Sequence, residues 1–291
     1  MATFQKSTMV SYLPEVWSAL ATVTYRSNTV LAPLFDRRWE PELGVGQGDT
    51  VNIPNFSQND ASIVQTRGTF GTAAGLTWTG TQEGQTKLEV DTLITTGFRI
   101  PVEMSVQHQP GYLTNLTEGI GQALALKLDS NLASDGADGL AAFTSIGTDN
   151  VDVTESVIFQ GETNLNDNNA PVEGRNFVMS PATRASLMQI EAIRNQLYSN
   201  TIGNLPGDRG AGYMGNILTL ACYMSNNLAS GTSGKKNAIF QTEAIALVVQ
   251  QNVKIVHDLN IEDGLMNQYV GYLVYGAKMV KSAFGREVDG K

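Results

Sequence analysis

The most constraining feature of this chain is a stretch that cannot build a core of its own. Residues 56–85 are mostly Gly, Thr, Ser and Gln, with scattered aromatics such as Phe70 and Trp78 and few aliphatic side chains. So little apolar surface cannot offset the entropy of ordering thirty residues, so the segment has to be an extended loop or hairpin. Alternating patterns flank it: Val51-Asn52-Ile53 before, then Lys87-Leu88-Glu89-Val90-Asp91 and Gly97-Phe98-Arg99-Ile100-Pro101-Val102 after. Period-two alternation marks strands with one buried face, so the loop stands out from a sheet and returns to it.

The rest of the chain mixes helix and strand. In the first thirty residues Val10, Leu13, Trp17, Leu20 and Ala21 fall at helical spacing despite Pro14, an arm whose stripe nothing in the sequence obviously covers. A long helix is predicted over about 113–134, where Leu113, Leu116, Ile120, Ala123, Leu124, Leu128 and Leu132 share a face, Thr114 or Asn115 caps the start and Gly136 lies beyond the end. A second helix is expected over 154–165 and a strand over 176–179. Ser180-Pro181 then opens a helix carrying Leu187, Ile190, Ile193 and Leu197. After a polar stretch at 200–215, strands are expected at 217–223, 238–240, 246–249 and 253–256, with a closing apolar segment at 269–280. The fold class is α+β.

Composition narrows the function. The chain has 291 residues, 29 of them Gly and 9 Pro, which suits a folded protein large enough for one big domain or two joined ones. The single cysteine, Cys222, lies in an apolar run and forms no internal disulfide. No long apolar span or signal-type leader is evident, so a cytoplasmic product without membrane contact is expected. The net charge is −9, and residues 118–175 hold ten acids against two bases. That balance disfavours tight binding of nucleic acid, which relies on clustered Lys and Arg to release counterions.

Chemistry finds little to work with. His108 and His257 lack His, Cys or carboxylate neighbours at metal-ligand spacing, and no Gly-x-Ser-x-Gly elbow occurs. Gly44-x-Gly46-x-Gly48 leads into a strand, so no helix N-terminus is offered to a phosphate. A glycosidase-type carboxylate pair needs only two side chains set by tertiary geometry, and nothing nominates one. The expectation is no catalytic residue, no metal and no cofactor.

Several segments, taken in order, resemble the major capsid proteins of tailed bacteriophages of the Hong Kong 97 type. They are Asn28-Thr29-Val30-Leu31-Ala32-Pro33-Leu34 with Arg37-Arg38-Trp39 and Gly48-Asp49-Thr50-Val51-Asn52-Ile53-Pro54; then residues 165–181, ending Phe177-Val178-Met179-Ser180-Pro181; and finally Gly215-Asn216-Ile217 with Ser225-Asn226-Asn227, Glu243-Ala244-Ile245-Ala246-Leu247-Val248, and Tyr275-Gly276-Ala277-Lys278. The resemblance implies an N-terminal arm (1–30), a lead-in (31–54), an extended loop (55–87), a peripheral domain with a spine helix (88–150), an axial domain (151–262) and closing strands (263–291). It also implies self-assembly into pentamers and hexamers of a shell, with a scaffolding protein and portal during assembly and an optional decoration protein. The shell would enclose double-stranded DNA without sequence-specific binding, assembling in the host cytoplasm and ending in the virion. On that view Phe4, Leu13, Trp17, Trp39, Phe70 and Trp78 are expected at contacts between subunits, and Glu118, Asp129 and Asp135 to face the lumen. An encapsulin-like compartment shares the implied fold, while the Gly/Thr/aromatic loop alone would also suit a surface glycan-binding or hydrolytic protein.

Overall fold

The computed structural model describes residues 21, 24–25, 29–43, 48–56, 83–107, 112–134, 136, 138–195, 212–261 and 264–290. The alternating segments flanking the loop become β1 (Thr50–Phe56) and β2 (Glu83–Glu89), an antiparallel pair in which Val51 lies opposite Leu88. Val51, Ile53 and Leu88 are buried with Leu43, Ala246 and Val248, so the pair forms a stem rooted in the body.

Strand β3 (Thr92–Pro101) follows after two residues and runs into a short helix, α1 (Val102–Gln107). Helix α2 (Tyr112–Ala133) has 22 residues and spans about 33 Å. Its buried positions Thr117, Ile120, Leu124, Leu128 and Leu132 recur every three or four residues, the spacing of one helical face, while Ala123 is exposed. That face packs on a three-stranded antiparallel sheet ordered β3-β10-β9, built from β9 (Ile245–Asn260) and β10 (Met266–Met279). Gly271 of β10 lets the helix approach: a Cβ there would come within 2.4 Å of the Ile120 side chain.

The second sheet has six strands, ordered β4-β11-β8-β5-β7-β6: β4 (Ser145–Gly147), β5 (Arg175–Met179), β6 (Tyr213–Ile217), β7 (Leu220–Met224), β8 (Lys235–Gln241) and β11 (Gly285–Gly290). Helix α3 (Glu155–Asp167) buries Ile158 and Leu165, and helix α4 (Pro181–Leu187) buries Leu187, in a core with Phe177, Ile239 and Val288. The cap read from sequence is present: Ser180 Oγ accepts from the Thr183 N–H, and Pro181 occupies the first turn. Asn237 Oδ1 accepts from the Ser180 N–H at 2.7 Å, and its Nδ2 donates to the Val288 carbonyl at 3.1 Å.

Four sequence expectations change. The helix begun at Pro181 stops at Leu187; tightened turns at Met188–Ile190 interrupt it before helical residues resume at 191–195, so that both Leu187 and Ile193 are buried, while Leu197 lies outside the described residues. The apolar run 217–223 is a hairpin rather than one strand, because Leu218 adopts φ +53° and the chain reverses with Ile217 opposite Leu220. Segments 246–249 and 253–256 form one continuous strand with a bulge opposite Tyr272–Val274. Finally, the sheets do not divide at residue 262. The chain leaves the six-stranded sheet after β8 and returns to it with β11, so residues 245–279 pack with 92–133.

Candidate assembly surfaces

The first surface is where the arm meets the body. Ala21 and Tyr25 are buried against α2, so at least this end of the arm is covered within the protomer. Gly121 makes the contact possible: a side chain there would come within 2.5 Å of the Ala21 carbonyl oxygen. Just beyond, the Asp129 carboxylate of α2 accepts from the backbone N–H groups of Val30 at 2.8 Å and Leu31 at 3.2 Å. Asp129 is fully buried, and among the described residues no cation pairs with it. Burial pushes its pKa up to about 6, partly opposed by the backbone N–H donors. The expectation that Asp129 faces a lumen is therefore corrected: it points inward because it satisfies the start of the Ala32–Leu34 turn.

The other assembly residues divide as follows. Glu118 is exposed on α2. Trp39 is half-buried against the Leu43, Val51 and Leu88 cluster, leaving part of its surface open. Phe4, Leu13, Trp17, Phe70, Trp78 and Asp135 lie outside the described residues, as does His108.

A surface that the sequence reading missed sits at the far end of the three-stranded sheet. Val102 N–H donates to the Leu265 carbonyl, joining the start of α1 to the β9–β10 hairpin tip. Ile261 (70% exposed), Leu265 (52%) and Met104 (51%) stand open there, with Leu259 close by and Val256 and Val270 paired on the strands below. These are half of the twelve exposed large hydrophobic side chains among the described residues, and such clustering marks an interaction site more than scattered apolar residues do. The signal available in sequence was that apolar residues keep recurring at alternate positions, Leu259 and Ile261, beyond the buried part of β9, with Leu265 after them.

Chemical candidates are ordinary in place. His257 stacks on Tyr269 at 4.6 Å and lies 3.3 Å from Asn267 Oδ1, as one side chain in a cross-strand row with Phe98. Cys222 is fully buried and burial pushes its thiol up to about 12, which suppresses the reactive thiolate. Gly48 has φ +107° and leads into β1, so the glycine-rich segment ends in a turn before a strand. Among the described residues no three His, Cys, Asp or Glu side chains are grouped to hold a metal, and no helix is long and apolar enough to cross a membrane.

No protein-family model and no curated protein matches the sequence. Solved structures do. A chain from Mycobacterium phage Che8 superposes with a TM-score of 0.67 at 21% identity, covering 89% of this chain and 90% of that one. The capsid structure of the cyanophage P-SCSP1u gives 0.62 at 15% identity, covering 100% and 93%. A virus-like particle from Pyrococcus furiosus gives 0.60 at 11% identity, covering 96% and 100%. Matching length at both ends makes this a likeness of whole architectures rather than of one motif, and the chain has the Hong Kong 97-type fold of tailed-phage capsid proteins.

Proposed function

We propose that this chain is a major capsid protein that assembles with copies of itself into the icosahedral head shell of a tailed bacteriophage, enclosing double-stranded DNA and catalysing nothing. The observation that carries the reading is end-to-end likeness to phage capsid structures. In this reading α2 and the β3-β10-β9 sheet form the peripheral domain, the six-stranded sheet forms the axial domain meeting around five- and sixfold axes, and the β1–β2 stem carries the extended loop toward a neighbour. The arm residues Phe4, Leu13 and Trp17, the loop residues Phe70 and Trp78, the open edge of Trp39 and the apolar hairpin tip supply contacts between subunits. Each such contact is modest, but a closed shell repeats it many times, so weak and correctable interfaces sum to a stable particle. Glu118 and Asp135, with part of the acidic stretch they belong to but not Asp129, face the lumen, where like charge keeps DNA mobile. Scaffolding protein and portal act during assembly in the host cytoplasm, decoration protein is an optional addition, and the mature location is the virion.

Likeness to the Pyrococcus furiosus virus-like particle supports a second reading, an encapsulin-like compartment that encloses protein cargo. Particle contents separate the two. Particles purified from the source should yield nuclease-protected DNA of one length; particles holding a stoichiometric enzyme and no DNA would favour the compartment.

A further inference from the structure

The link between the arm and helix α2 is unusual for a structural contact. Helix α2 could have met the arm by close packing alone, as Gly121 does with the Ala21 backbone, yet it places a carboxylate in the core at position 129. That carboxylate reaches 98 and 99 residues back along the sequence to hold the N–H groups of Leu31 and Val30, with the Ala32 N–H beside them. These are the opening donors of the Ala32–Leu34 turn, and Leu31 itself provides no side-chain cap. The Thr29 hydroxyl donates to the Tyr25 carbonyl at 2.7 Å, so the same few residues fix the direction in which the chain leaves toward its N-terminus.

We propose that Asp129 is a proton-sensitive latch that holds the arm base, seen at Ala21, Tyr25 and residues 29–32, onto helix α2 and releases it according to whether its carboxyl is neutral or charged. The chemistry follows from the surroundings. A buried carboxylate with no cation pays for its charge in lost hydration, and two or three N–H donors return only part of that. The titratable group facing it from the arm is the Tyr25 hydroxyl, whose ionisation burial drives well above its ordinary value; Arg37 and Glu40 lie behind Tyr25 with opposite charges. Among the described residues, the buried side chains of helix α2 around it include Ala125, Leu128 and Leu132, all apolar.

The direction of the switch is set by where the proton binds more tightly. With the latch closed Asp129 titrates near 6, and with the segment lifted and the carboxyl in water it returns to its ordinary 3.8. Closure is therefore tightest in acid, and its advantage is lost as the pH rises through about 6. Across that range the closed-to-open ratio falls by roughly a hundredfold, the factor corresponding to about two pH units. Mild acid fastens the arm base, and neutral to alkaline conditions loosen it.

Hydrogen–deuterium exchange on the full-length protein reads this directly at the Val30 and Leu31 amides between pH 4.5 and 7.5, with rates normalised for intrinsic chemistry. Protection should fall as the pH rises across that window, by roughly 25-fold. Asp129→Asn, neutral at every pH, should give a flat profile, while Glu118→Gln, which removes an exposed carboxylate on the same helix, should leave the wild-type slope intact. A flat wild-type profile overturns the proposal even where Asp129→Asn does not fold, and so does a slope that survives in Asp129→Asn or vanishes in Glu118→Gln. The readout lies within one protomer and needs no shell, so it stands apart from the assembly reading.

Discussion

Asn237 offers a test of what fastens the six-stranded sheet to the helix that follows β5. Its side chain is fully buried and touches three backbone groups: it accepts from the Ser180 N–H at 2.7 Å, donates to the Val288 carbonyl at 3.1 Å and donates to the Lys235 carbonyl at 3.3 Å. Asn237→Leu, close in volume, removes these bonds, including those to the buried Ser180 N–H and the Val288 carbonyl. An unsatisfied buried group costs about 1–3 kcal/mol, so the loss should be on the order of 2–6 kcal/mol. Asn237→Asp makes a sharper case. The carboxylate still accepts from Ser180 but sets negative charge against two carbonyl oxygens; once protonated it can donate to one of them. Its pKa should be raised in the folded state, so the variant should approach wild-type stability in acid and lose it as pH rises past the ordinary aspartate value. Denaturant unfolding of wild type and both variants at pH 4 and pH 8, followed by circular dichroism, measures this. A cost below about 1 kcal/mol for Asn237→Leu, or an Asn237→Asp variant indifferent to pH, would refute the reasoning.

Other consequences are as definite. Gly271→Val should destabilise the protomer by about 1–3 kcal/mol through overpacking against Ile120, and adding Ile120→Ala should recover part of that in thermal unfolding. At the hairpin tip, Ile261→Asp with Leu265→Asp should leave the unfolding midpoint nearly unchanged and abolish assembly on a sizing column; normal particles from this variant would remove the tip from the interfaces. Glu287 is buried beside Lys236 at 3.2 Å, and desolvation followed by its hydrogen bond with Asp289 raises its pKa to about 7. A raised carboxyl pKa means its contribution is fully present below the ordinary value of 4.5 and is lost as pH rises through about 7; Glu287→Gln should flatten that part of the stability profile.

Much of this architecture was legible because it rests on periodicity. The apolar face of α2, the Ser180-Pro181 cap and the alternation around residues 50 and 90 each state a local preference that the tertiary structure keeps. Errors arose where tertiary packing overrode the local pattern. Leu218 and Thr219 turn a hairpin without the Gly or Asn that usually marks one, so the continuous apolar run read as a single strand. Chain segments that switch sheets at residues 242–244 and 282–284 carry no compositional break, which is why the domain boundaries drawn from the sequence miss the passage of β9 and β10 to the sheet beneath α2. Asp129 was misread as well. The resemblance placed it on a solvated, lumen-facing surface, but its position four residues after Ala125 and three before Leu132 was the available signal that it turns inward.

Electron microscopy of the purified protein, across every fraction of a sizing column and with or without a scaffolding protein from the same gene cluster, tests the central claim most directly. The account predicts closed icosahedral shells, or rings of five and six subunits, under at least one of those conditions. Uniform monomers under all of them would contradict it.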